Sequence, residues 1–173
     1  ADGEETIAAW RAALEERRPV ALILSRQNIR NLPALGGSRR EEAAQLAKGA
    51  YVVADTANPD VVMVASGSEV ATLVEGAELL AQEGIRTRVV SAPSEGLFRD
   101  QPQSYQESVL PAGVVRYGMT SGLPVTLAGL VGEKGFIHGH DMFGFSAPYK
   151  VLDKEFGYNG ETVAAEVKKL LGK

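Results

Sequence analysis

Three stretches of this chain carry residue types that could do chemistry, and each follows or lies within an apolar run. Arg26, in Ser25-Arg26-Gln27-Asn28, comes directly after Val20-Ala21-Leu22-Ile23-Leu24. A guanidinium at the end of a buried strand can offer its planar donor fork to a phosphate or a carboxylate. The competing reading is a solvated arginine, or one paired with a neighbouring acid. Ser66-Gly67-Ser68 stands between the run Val61–Val64 and a helical pattern. Backbone N–H groups and the dipole at that helix start could hold an anion, whereas the plainer reading makes Ser68 an N-cap. The turn has neither the dinucleotide fingerprint nor a Walker loop. It also lacks the second glycine of a nucleophile elbow, so serine hydrolysis is not predicted. His138, His140 and Asp141 include both histidines of the chain. Alternation along a strand would place the two rings on one face, where a metal could bind. No further ligand or distant acid partner is evident, so no metal site is predicted. A neutral, hydrogen-bonded histidine at a strand end is expected instead, with Asp141 organising the turn before Met142-Phe143-Gly144.

The elements that must position these groups follow from hydrophobic period. Asp2 reads as the N-cap of a helix through Arg18, with Ile7, Trp10 and Leu14 on one face. Pro19 ends that helix, and Val20–Leu24 reads as a strand buried on both faces. Pro33 and Gly36-Gly37 mark a linker, and Ser38 caps a helical turn through Ala47. Ala50–Val53 is a short strand. Only the Ala54–Asp60 segment joins it to Val61–Val64, too little for a crossover helix, so the first strand is expected to run antiparallel to the others. Val70, Leu73, Val74, Ala77, Leu80 and Ala81 keep helical spacing until Gly84. Ile85–Ser91 then returns as a parallel strand by a right-handed crossover. Phe98–Leu110 is helical, interrupted by Pro102. Val114–Tyr117 is a fourth strand, ending in a second small polar turn, Thr120-Ser121-Gly122. A weak helix over 123–131, a strand Gly135–His138 and helices over 147–156 and 160–171 complete the chain.

Composition narrows the class. With 45% hydrophobic residues and 19 glycines, the chain can bury a sizeable core between short elements. A net charge of -4 with scattered Lys and Arg gives no electrostatic reason to expect nucleic acid or an anionic membrane surface. Absence of cysteine excludes disulfides, thiol catalysis and thiolate metal sites. No apolar run approaches about 20 residues, so neither a membrane span nor a signal peptide is expected. A soluble, cytoplasmic α/β protein is predicted. The opening Ala-Asp-Gly suggests a processed or excised piece.

Taken together, five motifs carry a resemblance. They are Ala21-Leu-Ile-Leu-Ser-Arg-Gln-Asn28, Ala65-Ser-Gly-Ser-Glu-Val70, Val89-Val-Ser-Ala-Pro-Ser94, Ser108-Val-Leu-Pro111 and Gly139-His-Asp-Met-Phe-Gly-Phe-Ser-Ala-Pro148. In this order and spacing the chain closely resembles the C-terminal third of transketolases, over nearly its whole length. The resemblance implies a three-layer α/β/α fold around a mixed, mostly parallel five-stranded sheet whose first strand is antiparallel. It makes residues 1–30 the last helix-strand unit of a pyrimidine-binding domain, 31–49 a linker and 50–173 the C-terminal domain. Transketolases are homodimeric transferases of the pentose phosphate pathway. They move two-carbon ketol units between sugar phosphates with thiamine diphosphate and a divalent metal (magnesium or calcium). Arg26 falls at the position of an arginine that contacts the substrate phosphate.

Two departures stand out. Thr120-Ser121-Gly122 replaces the usual Glu-Ala-Gly, and Leu127 stands where tryptophan is frequent. The Gly-Asp-Gly…Asn metal-diphosphate motif and the glutamate that activates thiamine are both absent from the chain. The resemblance therefore implies a non-catalytic, structural and dimer-supporting fragment with no cofactor of its own. It would work with the remaining transketolase domains and retain one substrate-phosphate arginine. The alternative is a free-standing module binding small anions at the Ser66–Glu69 and Thr120–Gly122 turns.

Overall fold

The computed structural model describes all residues 1–173. Helix α1 (Gly3–Glu15) leads through an irregular segment to α2 (Arg39–Ala43), which continues as a 3-10 turn (Ala44–Lys48). Strands β1 (Tyr51–Asp55) and β2 (Val61–Ala65), helix α3 (Glu69–Gln82) and β3 (Thr87–Ser91) follow. Next come α4 (Glu95–Arg99), α5 (Gln103–Val109), β4 (Val115–Met119), a 3-10 turn (Pro124–Leu127) and α6 (Ala128–Val131). Strand β5 (Phe136–His138) and helices α7 (Tyr149–Glu155) and α8 (Gly160–Leu170) end the chain.

The five strands form one sheet in the order β1-β3-β2-β4-β5. β1 runs antiparallel to β3, and the remaining pairs are parallel. This matches the short Ala54–Asp60 connection, which cannot cross over the sheet. Central β2 is completely enclosed, because its alternate residues face two different cores. Val61, Met63 and Ala65 join Val89, Tyr117 and Met119 under α3 and α8. Val62 and Val64 join Val90, Phe98, Val109 and Leu130 under α4, α5 and α6. The apolar period of α3 is realised by Val70, Leu73, Val74 and Leu80, all buried. Gly76 and Gly160 let α3 and α8 approach closely: a Cβ on Gly76 would lie 2.4 Å from Val163 Cγ1. Leu127 is buried in the second core.

One expectation about the opening unit is corrected. Val20–Leu24 joins no sheet, and Ile23 is 93% exposed. A strand needs a neighbour to satisfy its backbone groups, and this chain offers none there. The Ile7, Trp10 and Leu14 face of α1 also points outward, these residues being 58%, 53% and 81% exposed. α1 instead packs Ala8, Ala9 and Ala12 on the first core.

What anchors α1 is polar. Asp2 caps it, accepting from the Glu5 backbone N–H at 2.9 Å. The same carboxylate accepts from Leu32 N–H at 3.1 Å and from Arg39 Nε at 2.7 Å. Glu5 Oε2 accepts from the Tyr51 hydroxyl and from Ser91 Oγ, each at 2.6 Å. Both carboxylates are buried. One network thus binds α1, the linker and α2 to strands β1 and β3.

Candidate functional site

The order of the sheet locates its crevice. From β2 the chain passes by α3 to β3 on one side, then returns by α4 and α5 to β4 on the other. β2 is therefore the switch point of the sheet, and its carboxyl end is where doubly wound sheets hold ligands. Ser66-Gly67-Ser68 leaves the sheet at that point. A cleft of about 900 Å³ opens over it, lined by Arg26, the 66–69 turn, Ser121, His140 and Tyr158 among others. The structure thus gathers Arg26 and the small polar turns, which are separated in sequence, around one space.

The turn differs from the simple cap expected for it. Gly67 adopts φ 65°, a left-handed conformation suited to glycine. Ser68 occupies the N-cap position of α3 but has helical backbone angles and makes no capping bond. A cap must be extended for its oxygen to reach the N–H groups of the first turn. Its Oγ donates instead to Glu69 Oε1 at 3.2 Å. Burial raises the pKa of Glu69, and the Asp153 carboxylate adds to that shift. Asp153 is itself shifted upward by burial. The turn consequently presents a carboxyl group to the cleft beside its N–H donors, which opposes a second negative charge there.

Arg26 is exposed at the cleft. Its flanking arginines, Arg18 and Arg30, pair with Glu16 and Glu75. Arg26 makes no such pair, so its donors face solvent.

The two histidines diverge. β5 ends at His138, so the alternation that would have set His140 on the same face does not reach it. His138 Nε2 lies 2.9 Å from the Phe156 carbonyl, and Nδ1 lies 3.1 Å from both oxygens of Glu166. The carbonyl can only accept, so Nε2 carries a proton, and Nδ1 donates to the carboxylate in the imidazolium form. The Glu166 bond accordingly raises the His138 pKa against the opposing effect of burial. The ring is hydrogen-bonded at the end of β5 as expected, with Glu166 as an acid partner that spacing did not reveal. The Tyr117 hydroxyl completes the cluster, donating to Glu166 Oε2 at 2.7 Å. His140 stacks edge-to-face on Phe156 at 4.6 Å, and its Nε2 is buried without a partner. Asp141 is exposed. Thr120, Ser121 and Gly122 fasten strand ends: Thr120 N–H donates to the His138 carbonyl, and His140 N–H donates to the Gly122 carbonyl.

No three His, Asp or Glu side chains approach one point closely enough to share a metal. With Glu69 and Asp153 in the cleft, these residues do not fit a metal-bound diphosphate. Sequence reading placed Glu69 at the turn without its burial, and it missed Asp153 as a cleft group. An acid in the first turn of a helix ordinarily complements the helix dipole, so spacing alone gave no sign of its burial.

The fold and cleft define a doubly wound α/β domain with a ligand-sized crevice at its switch point. A family model described as the transketolase-like TK C-terminal domain matches residues 49–159. The chain belongs to the transketolase family. It is 42% identical over 174 residues to a transketolase of Halalkalibacterium halodurans, covering 99% of this chain and 26% of that protein. The solved transketolase of Leishmania mexicana superposes with a TM-score of 0.88 at 38% identity, over 99% of this chain and 24% of that one. A Pichia stipitis transketolase in complex with sedoheptulose-7-phosphate superposes with a TM-score of 0.87 at 32% identity, over the same shares. The chain therefore spans about a quarter of the length of the relatives it matches.

Proposed function

We propose that this chain forms the C-terminal quarter of a cytoplasmic, homodimeric transketolase that transfers two-carbon ketol units between sugar phosphates. In this reading residues 1–30 close the pyrimidine-binding domain, 31–49 link, and 50–173 form the C-terminal domain. The remaining domains hold thiamine diphosphate and its metal, and this chain supplies structure, dimer support and Arg26. The observation that carries Arg26 is its free guanidinium at the cleft, a group able to make charge-assisted bonds to a phosphate.

Two measurements test the reading. The isolated chain, supplied with thiamine diphosphate and magnesium, should show no ketol transfer, and activity there would overturn the fragment assignment. In the full-length enzyme, Arg26→Ala removes a charge-assisted bond worth roughly 1.5–3 kcal/mol, so KM for phosphorylated sugars should rise about tenfold or more. Unphosphorylated acceptors should be nearly unaffected, and equal losses for both classes would make Arg26 structural. A second reading, a free-standing small-anion module, draws on the unpaired Arg26 at the cleft, against the Glu69 carboxyl that the 66–69 turn presents there. It would stand if the intact mass of the native product were near 18.4 kDa.

A further inference from the structure

A second cavity, of about 390 Å³, opens away from the cleft between α4, α5, α6 and the start of β4. Arg99, Arg116, Gln103 and Gln106 line it, with Leu110 and Gly129. Arg116 is the unusual group. Its Nη1 donates to the Leu130 carbonyl at 2.7 Å and its Nη2 to the Leu110 carbonyl at 3.1 Å. Two carbonyls at the C-terminal ends of α5 and α6 hold the guanidinium in place, and no carboxylate pairs with it. Of five N–H donors in the fork, Nε–H and one on each terminal nitrogen remain unused. The other partly enclosed arginines find acids, Arg39 taking Asp2 and Arg88 taking Asp55, whereas the unpaired Arg17, Arg26 and Arg40 lie exposed in solvent. Arg116 finds none.

The nearest cation does not relieve it. Arg99 reaches over the same cavity from α4, donating from Nη2 to the Gly129 carbonyl at 2.5 Å and pairing with Glu95 at 3.0 Å. Burial lowers the Arg116 pKa, and repulsion from Arg99 lowers it further. On the acidic side, Glu107 stands exposed at the rim and accepts from Gln103 at 2.7 Å. Solvated there and bound to its own partner, it leaves the inner guanidinium without a counterion.

We propose that this cavity is a binding site for a small oxyanion, a phosphate or carboxylate group held by the free donors of Arg116 and by Arg99. The planar fork of Arg116 suits bidentate contact with either group. The site is independent of Arg26, which lines the other cleft.

The test is a proton–nitrogen NMR titration of the 173-residue chain with inorganic phosphate, against chloride at matched ionic strength and with acetate as the carboxylate arm. Saturable shifts of the Arg116 Nε–H resonance and the Gly129 amide are expected, with phosphate or acetate binding more tightly than chloride. The stronger arm identifies the preferred group. Arg116→Gln should abolish saturation. Because Arg116 also holds two carbonyls, Arg99→Gln provides a milder variant, expected to weaken binding about tenfold or more through loss of one charge-assisted contact. Linear, unsaturated shifts of equal slope in the chloride control, the parent chain and Arg99→Gln would overturn the proposal. So would saturation that survives in a folded Arg116→Gln chain.

Discussion

Replacing Asp2 by alanine should release α1 while the sheet stays folded. Asp2 is fully enclosed and Arg39 nearly so, their side chains being 0% and 9% exposed. Removing one member of such a pair leaves a buried charge alone, at a cost of about 3–5 kcal/mol. The lost N-cap, alone worth about 1 kcal/mol, falls within that range because these contributions are not additive. What then still holds α1 is the pair of Glu5 bonds to Tyr51 and Ser91 and the docking of its alanines, since its large apolar face turns to solvent. Hydrogen exchange reads the result directly. Protection of the α1 amides should drop by roughly two to three and a half powers of ten, while Val61–Val64 should remain strongly protected. Val20–Leu24 should exchange rapidly in both proteins, because it pairs with no strand. Adding Arg39→Met to Asp2→Ala removes the stranded cation and should restore part of the loss. Acid should mimic the mutation. Burial opposes ionisation of Asp2, but the Glu5 N–H, Arg39 and Leu32 N–H together hold its pKa below the ordinary 3.8. Its contribution is present above that value and lost as pH falls through the lower folded one. Equal loss of protection in α1 and β2 would refute the reasoning, since the chain would then open as one cooperative unit. Unchanged protection would show that the network holds nothing.

Two further outcomes follow from the packing. Gly76→Ala sets a helix-propensity gain of about 1 kcal/mol against overpacking on Val163, which costs about 1–3 kcal/mol. With the new Cβ at 2.4 Å the clash should win, lowering Tm by a few degrees in calorimetry; an unchanged or higher Tm would mean α8 can move aside. The His138–Glu166 bond should make stability fall as pH rises through the folded His138 pKa. That value lies above the ordinary 6.5, and the contribution is complete below 6.5. Thermal melts between pH 6 and 9 should show this slope, and His138→Gln should flatten it. A slope that persists in the variant would assign it to another group.

Much of the architecture was legible in the sequence because it rests on neighbours along the chain. The run Val61–Val64, the period of α3, the caps Asp2 and Ser38 and the short Ala54–Asp60 connection are local features, and each predicted its element. The family motifs likewise lie within short stretches. What the sequence could not decide depends on contacts across long separations. Val20–Leu24 has strand composition, but a strand forms only where another supplies hydrogen bonds. The apolar stripe of α1 has helical spacing, yet the docked face was chosen by Glu5, which meets Tyr51 and Ser91 from far along the chain. Ser68 precedes a helix as a cap should, but its backbone is helical and its hydroxyl turns to Glu69. The acid partner of His138 was hidden because Glu166 and the Phe156 carbonyl reach it only when α8 and the end of α7 fold against β5. Arg99 and Arg116 meet only because α4 and the start of β4 pack against opposite walls of one cavity. Spacing along the chain records periodicity, whereas charge compensation and the direction of a face are properties of the packed whole.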